Sequence, residues 1–84
     1  MDVKVLGPGC QRCKKLYEET QKAIQQLGLP ANLAKVESMD EILKYRILAT
    51  PGLVIDDQLV CAGRIPSLAE IITWLTTAAM KAGG

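Results

Sequence analysis

The sequence predicts an α/β domain in which a mixed four-stranded sheet packs against three helices. The first observation behind this is the order of the periodic segments, which is strand, helix, strand, helix, strand, strand, helix. The second is that glycine and proline fall between these segments. The third is the length of 84 residues, which leaves room for a single domain over residues 1–84.

The composition is that of a soluble globular domain, with 49% apolar and 23% charged residues. The net charge of +1 lacks the basic excess of nucleic-acid-binding proteins, so we expect no nucleic-acid partner. The apolar runs are too short for a membrane span, and Met1–Leu6 is too charged for a signal peptide. Three cysteines argue against a disulfide-stapled secreted scaffold. We therefore expect a cytoplasmic protein without a membrane partner.

The first part of the chain predicts a parallel βαβ unit. Val3–Leu6 forms a short strand, and glycine and proline at positions 7–9 break it. A helix should begin near Cys10, and Gly28 is a natural residue to end it. Ala31–Val36 is the second strand, joined to the first by a right-handed crossover. The apolar face of this helix contains Cys13, Leu16, Tyr17, Thr20, Ile24 and Leu27.

Two Ser-x-x-Glu patterns predict capping boxes at the start of the later helices. Ser38–Glu41 opens the second helix, which we expect to end at residues 50–52, and Ser67–Glu70 opens the third. Leu53–Ile55 and Leu59–Ala62 flank a turn at residues 56–58 and predict an antiparallel hairpin. The apolar side of the second helix contains Met39, Ile42, Leu43 and Ile47.

Two cysteines separated by two residues lie where the first strand meets the first helix. This spacing brings both thiols onto one turn, close enough to form a disulfide. Cys10 lies at the helix N-terminus, where free backbone N–H groups and the helix dipole favour the thiolate that attacks disulfides. Cys13 lies one turn further on the apolar face and should be less exposed. The pattern predicts Cys10 as the nucleophile and Cys13 as the resolving thiol, with Gly9 leaving space for a partner.

A cysteine pair can also hold a soft metal ion such as Cu(I), so a soft-metal or metalloid carrier is the alternative hypothesis. Against it, Pro8 stands where small heavy-metal-binding domains usually have methionine, and the chain has no histidine for a zinc site. Cys61 could add a third thiolate, but a packing role in its strand is favoured. A third hypothesis is a binding module in which the cysteines serve only as a regulatory switch.

The chain resembles the thioredoxin-like family of small redox-active disulfide proteins, which are close in size to glutaredoxins. The resemblance rests on Gly7–Cys13, Thr50–Ile55 and Ala62–Ser67, and it covers essentially the whole chain. It implies the thioredoxin fold, βαβαββα, and a monomeric thiol–disulfide oxidoreductase. Its partners would be protein disulfides and a reductase, and it would need no cofactor besides its own redox-active disulfide.

The same resemblance implies that a cis peptide bond joins Thr50 to Pro51 and faces the cysteine pair. The backbone of Thr50 would then pair with an extended partner chain. Thr50, Pro51 and Gly9 are therefore the expected substrate-binding residues.

The chain also departs from the family pattern at the cysteine pair and on the first strand. Gln11 and Arg12 replace the Gly-Pro of typical thioredoxins and the Pro-Tyr of typical glutaredoxins, so the direction of electron flow is not fixed by the motif. Gly9 replaces the usual aromatic residue. Lys4 is the only charged residue of the predicted first strand, so this strand offers no carboxylate to shuttle the proton of Cys13.

Overall fold

The computed structural model describes residues 1–82. In the sheet the strand order is β2-β1-β3-β4, with β2 parallel to β1 and with β3 antiparallel to both of its neighbours. The predicted order βαβαββα and the mixed four-stranded sheet are confirmed. The elements are β1 (Asp2–Leu6), α1 (Gln11–Leu27), β2 (Asn32–Val36), α2 (Met39–Leu43), β3 (Gly52–Ile55), β4 (Gln58–Ala62) and α3 (Leu68–Ala82).

Helix α1 begins and ends where the sequence predicts. Cys10 is its N-cap residue, and the Sγ of Cys10 accepts a hydrogen bond from the backbone N–H of Cys13 at 3.3 Å. Gly28 closes the helix in the left-handed conformation with a φ of 63°, which glycine adopts without a steric penalty. On the predicted apolar face, the hydroxyl of Thr20 is buried and donates to the carbonyl of Leu16 at 2.7 Å.

Helices α1 and α3 cover one face of the sheet, here called the α1/α3 face. The larger core lies between these helices and the sheet, and the half-buried Trp74 of α3 packs against it. Because side chains alternate along a strand, Val3 and Val5 of β1 point into this core. Its buried members are Val3, Val5, Leu16, Ala23, Leu53, Ile55, Cys61, Ile71 and Leu75.

The opposite face, here called the α2 face, has a smaller core of Leu6, Ile42, Ile47 and Val54, with the half-buried Tyr45 packed against it. Lys4 also lies on this face, and its Nζ donates a hydrogen bond to the hydroxyl of Tyr45 at 2.9 Å. This bond raises the pKa of Lys4 above its ordinary value.

The prediction for the second helix is wrong in its length and in its cap. Helix α2 ends at Leu43, and the chain then turns through Arg46 with a φ of 56°. The side chain of Ser38 makes no capping hydrogen bond, and the carboxylate of Glu41 pairs with Lys44 at 3.0 Å. Two residues of the predicted apolar side, Met39 and Leu43, are exposed, since one helical turn can bury only a narrow stripe.

The second capping box is confirmed. The backbone N–H of Glu70 donates to the Oγ of Ser67 at 3.2 Å, and the N–H of Ser67 donates to Glu70 Oε1 at 3.3 Å. The hairpin is also confirmed, although its turn is shorter than predicted. Asp56 and Asp57 have φ values of 49° and 67°, and β4 already begins at the next residue.

Within the described residues, no helix combines the length and the hydrophobicity that crossing a membrane requires.

Candidate active site

The cysteine pair lies at the end of β1 and the start of α1. Cys10 and Cys13 form a disulfide with a Cα–Cα distance of 5.1 Å. Cys10 is exposed, whereas only 5% of Cys13 is accessible to solvent. The predicted difference in exposure is therefore present, and a partner can reach the sulfur of Cys10 more easily than that of Cys13.

Gly7 holds the backbone close to the buried sulfur. A Cβ at position 7 would collide with the Sγ of Cys13 and would lie 3.1 Å from its Cβ. The backbone N–H of Gly7 also donates to the carbonyl of Val36 at 2.9 Å, which fixes the loop against the end of β2. The sequence marks this glycine as a strand breaker and as part of the cysteine motif, but its contact with Cys13 depends on the tertiary fold.

Gly9 precedes the exposed cysteine in a left-handed conformation with a φ of 91°, which side chains rarely tolerate. A Cβ at this position would stand 2.9 Å from the Oε2 of Glu37. The loop before Cys10 thus leaves little space for a side chain at position 9, because the carboxylate of Glu37 lies directly beside it. The sequence did not single out Glu37, which follows the end of β2.

The Thr50–Pro51 peptide bond is cis, as the resemblance implies. The register of β1 and β3 pairs Leu6 with Gly52, so this dipeptide lies at the same end of the sheet as the cysteines. A Cβ on Gly7 would stand 4.0 Å from the Cβ of Thr50. The structure therefore brings Thr50 next to the loop that carries the cysteine pair.

A second loop, after β4, supports the cis peptide. The N–H of Gly63 donates to the carbonyl of Pro51 at 2.8 Å. The guanidinium of the following residue, Arg64, donates two hydrogen bonds to the carboxylate of Glu70, at 2.7 and 3.3 Å. These bonds, with the N–H of Ser67, lower the pKa of Glu70 to about 2. The loop next to Pro51 is thereby tied to the start of α3.

Cys61 is a free, buried thiol in β4 and belongs to the larger core. Its Sγ lies 3.9 Å from the carbonyl oxygen of Arg64, in the range of a weak S–H hydrogen bond. Over residues 1–82, no group of three or more Cys, Asp or Glu side chains is placed to hold a metal ion. The structure therefore does not bring Cys61 to the cysteine pair as a third thiolate.

Comparison with known proteins places the chain in a family. Residues 1–76 match the family model described as a thioredoxin domain. The chain is 39% identical over 69 residues to a thioredoxin of Methanocaldococcus jannaschii, covering 82% of this chain and 79% of that protein. It is 37% identical over 71 residues to a thioredoxin of Methanothermobacter thermautotrophicus, covering 84% and 92% of the two chains.

The fold is shared with a solved structure of more distant sequence. Thioredoxin 1 from the thermophilic eubacterium Thermosipho africanus matches over 100% of both chains with a TM-score of 0.61, at 15% sequence identity. The predicted thioredoxin fold is thus confirmed. Given the family match over residues 1–76 and the two relatives, the chain belongs to the thioredoxin domain family.

Proposed function

We propose that the protein is a thiol–disulfide oxidoreductase that cycles Cys10 and Cys13 between dithiol and disulfide and acts on protein disulfides. The observation that carries the proposal is the disulfide itself, which joins one exposed and one buried sulfur at a helix N-terminus. Membership of the thioredoxin domain family supports the same chemistry.

The local geometry supports Cys10 as the nucleophile. The N–H of Cys13 donates to the sulfur of Cys10 at 3.3 Å. The first turn of α1 contains no acidic residue that would oppose a negative charge on that sulfur. Both features favour the thiolate, as does the helix dipole. The thiolate attacks one sulfur of the partner disulfide, forms a mixed disulfide with it, and releases the other partner sulfur as a thiolate.

Cys13 completes the reaction. Its thiolate attacks the sulfur of Cys10, the Cys10–Cys13 disulfide forms, and the bond between Cys10 and the partner breaks. Two electrons pass from the cysteine pair to the partner, which leaves fully reduced. A reductase would then return the pair to the dithiol state by the reverse exchange.

Thr50, Pro51 and Gly9 are the proposed substrate-binding residues. The position of Thr50 beside the cysteine loop would let its backbone pair with an extended segment of the partner, in the manner of strand addition. The left-handed Gly9 leaves room for that segment above Cys10. We further propose that the protein acts as a single-domain monomer in the cytoplasm.

Three serine substitutions test this function with a model protein disulfide such as insulin and a chemical reductant. Cys10→Ser should abolish catalysed reduction, and Cys13→Ser should accumulate a mixed disulfide detectable by mass spectrometry. Cys61→Ser is the matched control and should keep its activity, because Cys61 lies in the core and outside the pair. Full activity of Cys10→Ser would disprove the assignment of the nucleophile.

A further inference from the structure

A cavity of about 280 Å³ opens beside the buried cysteine. Cys13 lines this cavity together with the charged residues Lys14, Lys35 and Glu37. A water molecule occupies about 30 Å³ in the liquid, so the cavity has room for several. The polar side chains in its wall provide the partners that ordered water needs. Water in this cavity would therefore lie beside Cys13, although only 5% of this residue is exposed.

Glu37 lies at the wall of this cavity, next to a segment of backbone that is fixed by a hydrogen bond. It directly follows Val36, whose carbonyl accepts the N–H of Gly7 at 2.9 Å. Its Oε2 would lie 2.9 Å from a Cβ on Gly9, so the carboxylate faces the loop between β1 and the cysteines. Among the described residues that line the cavity, Glu37 supplies the only carboxylate.

The two charged residues of β1, Asp2 and Lys4, cannot serve the same purpose. Asp2 lies at the end of the strand away from the cysteine loop, where it pairs with Asn32 and its N–H donates to Asp56 Oδ1. Lys4 lies on the α2 face, where its Nζ is bonded to the hydroxyl of Tyr45. Cys13 lies on α1, which covers the opposite face of the sheet, and it lines the cavity together with Val5 of that face. A proton acceptor for Cys13 must therefore come from outside β1, and the shared cavity leads to Glu37.

We propose that Glu37 accepts the proton of the Cys13 thiol, through water in this cavity, during the resolving step. The inference rests on the proposed roles of Cys10 and Cys13. The other titratable groups that face the cavity are Lys14 on α1 and Lys35 on β2, and Lys35 is held with its Nζ 4.7 Å from the centre of the Tyr17 ring.

The step balances without another reactant. The Cys13 S–H bond breaks, its proton passes through water to Glu37, and its electron pair forms the bond to the sulfur of Cys10. The bond between Cys10 and the partner sulfur breaks, and that sulfur leaves with the bonding pair. Glu37 then returns the proton to the departing partner thiolate. The cysteine pair is oxidised by two electrons and the partner disulfide is reduced.

The two chemical steps can be separated with Ellman's reagent in a stopped-flow spectrometer. The first thionitrobenzoate released reports the attack of Cys10, and the second reports resolution by Cys13. Glu37→Gln should slow the second release by about a hundredfold at pH 7, the low end for general base catalysis. The first release should stay within about twofold of the unmodified protein, because the carboxylate is exposed and its effect on Cys10 is screened.

The pH profile distinguishes a proton acceptor from a structural contact. The deficit of Glu37→Gln should shrink as the pH rises, because a growing share of the thiol is then ionised without a base. A purely structural defect would persist at every pH. Glu37→Asp should restore part of the rate, and Asp40→Asn is the charge-matched control, since the exposed Asp40 does not line the cavity.

The outcomes separate this inference from the proposed function. If the unmodified protein gives only the first release, Cys13 does not resolve the mixed disulfide and the proposed function itself fails. If both releases occur and Glu37→Gln leaves the second unchanged across the pH range, the proposed function stands and the role of Glu37 is wrong. A deficit shared by Asp40→Asn would also overturn it, because the effect would then come from overall charge.

Discussion

The two faces of the sheet are covered very unequally. On the α1/α3 face, helices of 17 and 15 residues enclose nine buried core residues. On the α2 face, a five-residue helix and the chain leading to Pro51 enclose four. Cys13 lies on the α1/α3 face, whereas the segment that leads to the cis peptide crosses the α2 face.

This difference assigns separate tasks to the two faces. Hydrophobic burial is roughly proportional to apolar area removed from water, so most of the stabilisation comes from the α1/α3 face. Cys13 lies on α1, one of the two helices that cover this face, and only 5% of it is exposed. The α2 face needs only enough burial to return the chain to β3 with Thr50 and Pro51 beside the cysteine loop.

Replacing one core residue on each face with alanine should give the largest difference between the two faces, measured as the loss in the free energy of unfolding. We expect Leu16→Ala to lower the free energy of unfolding by about 3–5 kcal/mol, because a fully buried side chain between two long helices leaves a cavity that cannot collapse. Ile42→Ala should cost about 2–3 kcal/mol, because exposed neighbours such as Leu43 can move into the space. Urea denaturation measures both values, and equal costs would contradict the comparison.

A pair of glycine substitutions compares the two faces near the site. Gly7→Ala places its Cβ against the Sγ of Cys13, which is held by the fold, so we expect a loss of about 1–3 kcal/mol and slower disulfide formation. Gly52→Ala places its Cβ against the terminal Cδ1 of Ile47, which can rotate away, so the loss should be about 1 kcal/mol or less. Urea denaturation and stopped-flow thiol oxidation measure the two effects. Unchanged oxidation kinetics in Gly7→Ala would argue against the close contact.

The smallest expected effect is on stability at low pH, where the segments Ser67–Glu70 and Ser38–Glu41 are compared. The pKa of Glu70 is about 2, below its ordinary value of 4.5, because of Arg64 and Ser67. Ionised Glu70 therefore stabilises the fold fully above about pH 4.5, and this stabilisation is lost as the pH falls toward 2. Glu70→Gln should remove the part of the fall in melting temperature between about pH 4.5 and pH 2 that comes from Glu70. Its side chain can still accept the N–H of Ser67. Glu41→Gln, in the segment whose serine makes no capping hydrogen bond, is the matched control.

Most of the fold was predictable because its signals are local. The apolar stripe of α1, its ends at Cys10 and Gly28, and the capping box at Ser67 each depend on residues within one or two helical turns. The turn at Asp56 is likewise set by its neighbours. Local patterns also specify the cysteine spacing, so the centre of the candidate site was visible in the sequence.

The error at α2 is local, because Ser38–Glu41 has the same pattern as Ser67–Glu70 but Ser38 makes no capping hydrogen bond and Glu41 pairs with Lys44, three residues further on. The omissions concern contacts between distant segments. The contact of Gly7 with Cys13, and the place of Glu37 beside Gly9, depend on the parallel register that pairs Leu6 with Val36. A single sequence does not show that register.

The aromatic residues give each face its own optical reporter. Trp74 is the only tryptophan of the chain and packs against the larger core, whereas Tyr45 packs against the smaller one. Intrinsic tryptophan fluorescence therefore follows the environment of α3 and is insensitive to a local opening of the α2 face. An unfolding curve recorded by fluorescence alone would miss such an opening, and agreement with circular dichroism would show that the two faces unfold as one cooperative unit.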